Sequence, residues 1–140
     1  MNDRVVIEIT RKEREALKEL LKVFQRERDS IISFSLEGII RENNRKEEIM
    51  KKLEYFKGEK DRLFEYVDNE DELFQSDVWK SLTMEIERTM GEIKIALQKN
   101  MKLLSFSIDY VKSSMDHILG FIISFNYGKK TEKGLFFSQG

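Results

Sequence analysis

The stretch that decides the fold is residues 77–125, DVWKSLTMEIERTMGEIKIALQKNMKLLSFSIDYVKSSMDHILGFIISF. Large apolar side chains recur in it at steps of three and four residues, close to the mean of about 3.5 that keeps one stripe facing a partner helix. This stripe consists of Trp79, Leu82, Ile86, Met90, Ile93, Leu97, Met101, Leu104, Ile108, Val111, Met115, Ile118, Ile122 and Phe125. No proline interrupts it, and Ser76 or Asp77 can cap its start. The pattern predicts one helix of roughly fifty residues, about 75 Å long, along which the rest of the chain packs.

The second half of this predicted helix carries a second apolar set. At about 100° per residue, this set lies roughly 120° around the helix from the stripe. Its members are Leu103, Phe106, Tyr110, His117 and Phe121. The full charges between residues 101 and 127 are Lys102, Asp109, Lys112 and Asp116, whereas 36% of the whole chain is charged. A helix that is apolar on two faces must bury both, in a larger bundle, by self-association or against a partner protein.

Length and composition predict an all-α protein. The chain has 140 residues and no proline, and its apolar positions follow long helical periods. We expect a single helical domain over residues 1–140, built as an elongated antiparallel bundle or coiled coil of three long helices. Their expected bounds are about 3–32, 36–67 and 77–126, followed by a flexible tail over 127–140. Shallow crossing angles of about 20° suit such packing.

The second predicted helix has a polar gap on its inward side. Between Arg41 and Glu48 the inward positions are polar, namely Asn43, Arg45, Lys46 and Glu47. A gap of this kind in a helical seam more often sets the register between helices than binds a ligand.

Charge and residue usage exclude several classes of function. The net charge is −1 with both signs interspersed, so a nucleic-acid-binding surface is not expected. The chain has no cysteine, which excludes disulfides and thiolate metal sites and fits a reducing compartment. Residues 1–4 do not begin a secretory signal, and the apolar run over 118–125 is far shorter than the roughly twenty residues that cross a bilayer. We therefore expect a cytoplasmic protein without membrane insertion.

The sequence contains no recognisable catalytic, metal or cofactor site. Its one histidine, His117, has no second histidine or cysteine to complete a metal site or a nucleophile–base pair. The acidic run over 68–72 resembles the start of a calcium loop, but Leu73 stands where that loop needs glycine and Trp79 where it needs glutamate. We therefore predict a protein that is not an enzyme and has no cofactor.

Two non-enzymatic classes remain. A structural or adaptor coiled coil, dimerising through its carboxy-terminal helix, needs one apolar seam per helix and charged faces elsewhere. A partner-binding module needs additional apolar surface. The doubly apolar part of the long helix favours the partner-binding module.

Three features of the chain resemble FlgN-type flagellar export chaperones, the family that escorts hook-associated proteins. One is the early pattern formed by Phe24-Gln-Arg-Glu27, Ile31-Ile32, Leu36, Ile39, Lys46-Glu-Glu-Ile-Met50 and Leu53, with Ser35 where the family usually has aspartate. Another is the run Asn100-Met-Lys-Leu-Leu104 followed by Ile108, Tyr110, Val111 and Ile118. The third is Tyr127-Gly128 with a later Gly134, similar to the family's terminal tail but with a longer spacer.

The resemblance implies a cytoplasmic, ATP-independent chaperone of type III export. Such chaperones bind the carboxy-terminal amphipathic helices of the hook–filament junction proteins and present them to the membrane export gate. This role agrees with an apolar face awaiting an amphipathic helix. We place the client site on Leu103, Leu104, Phe106, Ile108, Tyr110, Val111, Met115, Ile118 and Phe121. The alternative is that a second copy covers this face in a client-free homodimer. The resemblance also assigns Tyr127 to the export-gate contact.

Overall fold

The computed structural model describes residues 2–125 and contains four helices in that range. They are α1 Asn2–Ile32, α2 Leu36–Phe64, α3 Glu70–Gln75 and α4 Asp77–Phe125. The described range has no strand, which confirms the all-α prediction. The predicted number of three helices is not confirmed, because the short α3 stands between the second and the long helix. The predicted tail over 127–140 lies outside the described residues.

Helix α3 lies between the second and third predicted helices, and Asn69 caps its start. The Asn69 side-chain oxygen accepts a hydrogen bond from the Glu72 backbone N–H at 3.0 Å. Three acidic residues occupy the first turn, where the partial positive charge of a helix start favours them. The acidic run that resembled a calcium loop is therefore the start of a helix.

Helix α2 ends at Phe64, three residues before the predicted end. The backbone N–H groups of Glu65, Tyr66 and Val67 each donate to the carbonyl three residues earlier. Bonds of this spacing tighten the last turn and end the α-helical ladder.

The chain divides into two compact units, residues 1–103 and residues 104–140. The first unit contains α1, α2, α3 and the first part of α4. The second unit, as far as it is described, is the remainder of α4. The single domain expected over residues 1–140 stays a prediction.

In the first unit, α2 runs antiparallel to α1. Lys60 near the end of α2 donates to Glu13 near the start of α1 at 2.6 Å, while Lys46 near the start of α2 binds Glu27 near the end of α1. Residue numbers therefore increase in opposite directions along the two helices. The short turn over 33–35 makes this arrangement necessary.

Helix α4 runs parallel to α1 in this unit. The Arg14 guanidinium approaches Glu85 at 3.5 Å, and the Asn100 amide donates to Glu27 at 2.9 Å. From the first pair to the second, the residue number increases on both helices, so the two helices run in the same direction. The connection through α2 and α3 returns the chain to the starting end, so that α4 can run beside α1.

The core lies where these three helices meet. Its buried members are Ala16, Leu20, Val23, Phe24 and Ile49, and Leu53, Phe56, Ile93 and Ala96 pack against them. At the end where the chain enters α4, the rings of Phe64, Phe74 and Trp79 lie with centroids 5.6–6.0 Å apart. Aromatic rings at this spacing attract each other, so these three rings pack together at the loop end of the bundle.

The buried face of α4 keeps Leu82 from the predicted stripe but differs from the stripe by one residue at two positions, Thr89 for Met90 and Asn100 for Met101. Leu82, Thr89 and Asn100 are buried, whereas Met101, next to Asn100, is 61% exposed. From Leu82 to Asn100 the chain advances 18 residues, which is five turns at about 3.6 residues per turn. A repeat of about 3.5 drifts around such a helix, so Met90 and Met101 rotate away from the core.

Gly38 lies in the first turn of α2, close to the end of α1, and we expect Gly38→Ala to destabilise the protein. An added Cβ would lie 2.9 Å from the Ser30 Cβ and closer still to its hydroxyl. Overpacking of this kind costs about 1–3 kcal/mol. Denaturant unfolding measures the loss.

Gly58, also in α2, provides the matched control. A Cβ there meets nothing within 4 Å. Because alanine favours a helix interior over glycine, Gly58→Ala should stabilise the protein by about 0.5–1 kcal/mol. If both substitutions changed the free energy of unfolding in the same direction, the close packing at Gly38 would be contradicted.

Candidate functional site

The second unit presents apolar side chains that the described structure does not bury. No residue between 104 and 124 is buried, and Ile108 is 64% exposed. Val111, Met115 and Ile118 are also exposed. These side chains belong to the stripe that the sequence assigned to a partner helix.

The structure places every residue of the predicted client site on α4. Leu103 and Leu104 are half-buried, and the other members are exposed, namely Phe106, Ile108, Tyr110, Val111, Met115, Ile118 and Phe121. Leu103 belongs to the first unit and the rest to the second. We call the members of this predicted site that lie in the second unit, from Leu104 to Phe121, the apolar face.

Charge is confined to one side of the described part of the second unit. At about 100° per residue, the charged residues at 109, 112 and 116 fall within a sector of about 60°. The two apolar sets occupy other directions around the helix. The helix is therefore amphipathic, with an apolar side wider than one seam.

Two serines between the apolar sets were missed by the sequence reasoning. Ser107 and Ser114 lie on the line between the sets, and both are half-buried. Small residues on such a line let a second helix approach closely. Their seven-residue spacing is visible in the sequence, but serine carries no hydrophobic signal.

A polar junction joins α1, α2 and α4 near the end of the first unit. The Asn100 amide group donates to the Phe24 carbonyl at 2.8 Å and to the Glu27 carboxylate at 2.9 Å. Lys46 donates to the same carboxylate, and its ammonium lies 4.9 Å from the centre of the Phe24 ring. Glu27 and Asn100 are 4% and 2% exposed. We call Glu27, Lys46 and Asn100 the polar junction.

The polar junction explains the gap predicted in the second helix. Lys46 faces inward there, and Glu42 is buried with Arg26 at 3.1 Å. Asn43 and Glu47, also expected to face inward, are exposed. Within the described residues the Asn100 side-chain oxygen has no hydrogen-bond partner. A buried polar group of this kind favours one register of packing over others, at a cost in stability.

The family model described as FlgN protein matches residues 1–133. The chain belongs to the FlgN family. Its members are chaperones of flagellum assembly, so the resemblance seen in the sequence is confirmed. A comparison with curated proteins and a comparison with solved structures each found no match.

In this FlgN-family chain, the described residues show no arrangement typical of a metal centre. No three histidine, cysteine or carboxylate side chains among them could together hold a metal ion. His117 is exposed on α4. Tyr127, which the resemblance assigned to the export gate, lies outside the described residues.

Within residues 2–125, no helix combines the length and the apolar character needed to cross a membrane.

Proposed function

We propose that this FlgN-family chaperone acts in the cytoplasm and binds the carboxy-terminal amphipathic helices of hook–filament junction proteins through its apolar face. The observation that carries the proposal is the combination of exposed Ile108, Val111, Met115 and Ile118 with charges confined to a separate sector. A client helix would lay its own apolar stripe along this face. Ser107 and Ser114 would let its backbone come close.

The exposed area is sufficient for useful affinity. Complete burial of one such side chain contributes about 1.5–3 kcal/mol, so four contribute roughly 6–12 kcal/mol before any cost. The loss of translational and rotational freedom on binding costs at least about 4 kcal/mol. The client helix buries apolar side chains of its own. A micromolar dissociation constant, which corresponds to a binding free energy of about 8 kcal/mol, is therefore attainable.

Calorimetry with synthetic terminal helices of flagellar junction proteins tests the proposal. We expect micromolar binding with a negative heat-capacity change, because apolar surface is removed from water. The control is an amphipathic helix from an unrelated protein, matched in length and net charge. Equal affinity for both helices would contradict a junction-protein chaperone.

Self-association is the second candidate for the same face. From Met101 to Ile122 the apolar positions keep alternating steps of three and four residues, which suits a coiled coil with a second copy. In this arrangement a client-free dimer would dissociate as the client binds. Sedimentation of the chain with increasing client should then show dimers converting to one-to-one complexes.

For Tyr127 we propose a contact with the export gate, in line with the family resemblance. Its ring and hydroxyl suit a contact that is apolar on one side and wet on the other. Tyr127→Ala should leave client affinity unchanged and weaken binding of the loaded chaperone to the cytoplasmic domain of the gate. Tyr127→Phe serves as the control for the ring alone. Equal gate affinity of wild type and Tyr127→Ala, each fully loaded, would exclude the role.

A further inference from the structure

A second helix-sized surface lies in the first unit, in the groove between α1 and α4. The groove contains an open cavity of about 240 Å³. Its α1 wall is made by Leu21, Phe24, Gln25 and Arg28. Its α4 wall is made by Glu92, Ile95, Ala96 and Lys99. Both walls repeat the spacing i, i+3, i+4, i+7, so each helix presents one continuous face to the groove.

The size of the cavity favours side chains over a free small molecule. Small-molecule sites usually occupy about 300–1,000 Å³, which is more than this cavity offers. The apolar floor includes Ile95, which is exposed, and Leu21, which is half-buried. Two or three side chains of an added helix would fill the cavity and remove these residues from water.

One end of the groove is positively charged on both walls. Arg28 and Lys99 are each adjacent in sequence to a residue of the hydrogen-bonded pair Glu27–Asn100, so they flank the groove at the same level. Both side chains are exposed, and neither forms an ion pair with another described residue. Glu92, the acidic residue of the lining, lies about two helical turns away from Lys99. Two such cations across a groove are complementary to a carboxylate.

We propose that this groove binds an amphipathic helix of a partner protein that carries acidic residues at the Arg28–Lys99 end. The apolar stripe of that helix would cover Leu21 and Ile95. The site is separate from the apolar face, because all its lining residues belong to the first unit. The chaperone would then hold a helix at each of two places, and the charge at Arg28 and Lys99 would set the direction of the helix in the groove.

Two synthetic peptides of about 21 residues, the length of three heptads, test the charge preference on the full chain. Both carry leucine at the a and d positions and glutamine elsewhere. In the last heptad, two flanking positions carry glutamate in one peptide and lysine in the other. Fluorescence anisotropy at low salt should show the glutamate peptide binding about tenfold more tightly, with the difference shrinking as salt is raised.

Charge reversal in the groove should invert this preference. We expect Arg28→Glu with Lys99→Glu to bind the lysine peptide more tightly than the glutamate peptide. The control, Lys22→Glu with Lys51→Glu, makes the same change of net charge at exposed positions outside the groove. It should preserve the order of the two peptides. A control that inverts the order as well would show a general charge effect and overturn the site.

Two further measurements separate this groove from other surfaces. Ile108→Ser on the apolar face should leave the ratio of the two peptide affinities unchanged, so failure of the client site and failure of the groove are distinguishable. Ile95→Asp should weaken both peptides by about tenfold, whereas no loss would overturn the groove as their site. If the chain alone forms dimers that Arg28→Glu with Lys99→Glu dissociates, a second copy occupies the groove and the partner assignment is overturned.

Discussion

Glu27→Ala should lower the free energy of unfolding by about 3–5 kcal/mol, the cost of removing one partner from a buried ion pair. The substitution leaves the ammonium of Lys46 without its carboxylate in a largely covered position. It also removes one of the two acceptors of the Asn100 amide. Urea unfolding followed by circular dichroism measures the loss, and the midpoint should fall while the slope stays constant.

Replacing the whole polar junction is the informative control. Glu27→Met with Lys46→Met and Asn100→Leu removes all three polar partners together. Because apolar groups of similar volume often substitute for a buried ion pair without loss, this variant should be at least as stable as the wild type. Its packing should be less specific, visible as broadened amide signals for α4. A cost below about 1 kcal/mol for Glu27→Ala alone would mean that the junction is open to water.

Ile108→Ser with Met115→Ser should weaken client binding by about a hundredfold or more while the protein stays folded. Each substitution removes an apolar side chain worth about 1.5–3 kcal/mol when buried against the client. A hundredfold corresponds to about 2.8 kcal/mol, because a factor of ten corresponds to about 1.4 kcal/mol, and the two substitutions together reach this value. Both side chains are exposed, so the free energy of unfolding should change by less than about 0.5 kcal/mol per substitution.

The matched control uses exposed methionines of the first unit on the same helix. Met84→Ser with Met90→Ser removes comparable apolar surface, since Met84 is 69% exposed. Calorimetry should find nearly wild-type client affinity for this variant. If it weakens the client as much as Ile108→Ser with Met115→Ser, the binding site extends along α4 and is not confined to the apolar face.

The long helix was predictable because its apolar period persists over many turns without proline. The structure begins α4 at Asp77 and describes it as far as Phe125, and the predicted end at residue 126 lies outside the described residues. Local capping was harder to foresee, since Asn69 begins α3 through a hydrogen bond that leaves no periodic pattern. The position of such a short helix depends on a single capping side chain.

The choice of buried residues on α4 was predictable only in part. Hydrophobicity favours Met101 over Asn100, yet the structure buries Asn100. The asparagine is acceptable there because Glu27 and the Phe24 carbonyl accept hydrogen bonds from its side-chain NH₂ group. Those partners lie more than seventy residues away in the sequence, so no local pattern reveals them. The exposure of apolar side chains on this part of α4 was foreseen, because the sequence places more apolar residues there than one seam can bury.

The order of synthesis places the apolar face after the whole first unit, and this order should limit aggregation of the nascent chain. Helices α1 and α2 are neighbours in sequence and can pair soon after both emerge, because a short turn joins them. Residues 104–125 are synthesised later, after the whole chain of the first unit. Nascent chains of the first unit should therefore be compact and resistant to proteolysis before the apolar face appears. Exposure of the apolar face then begins only after the first unit has been synthesised.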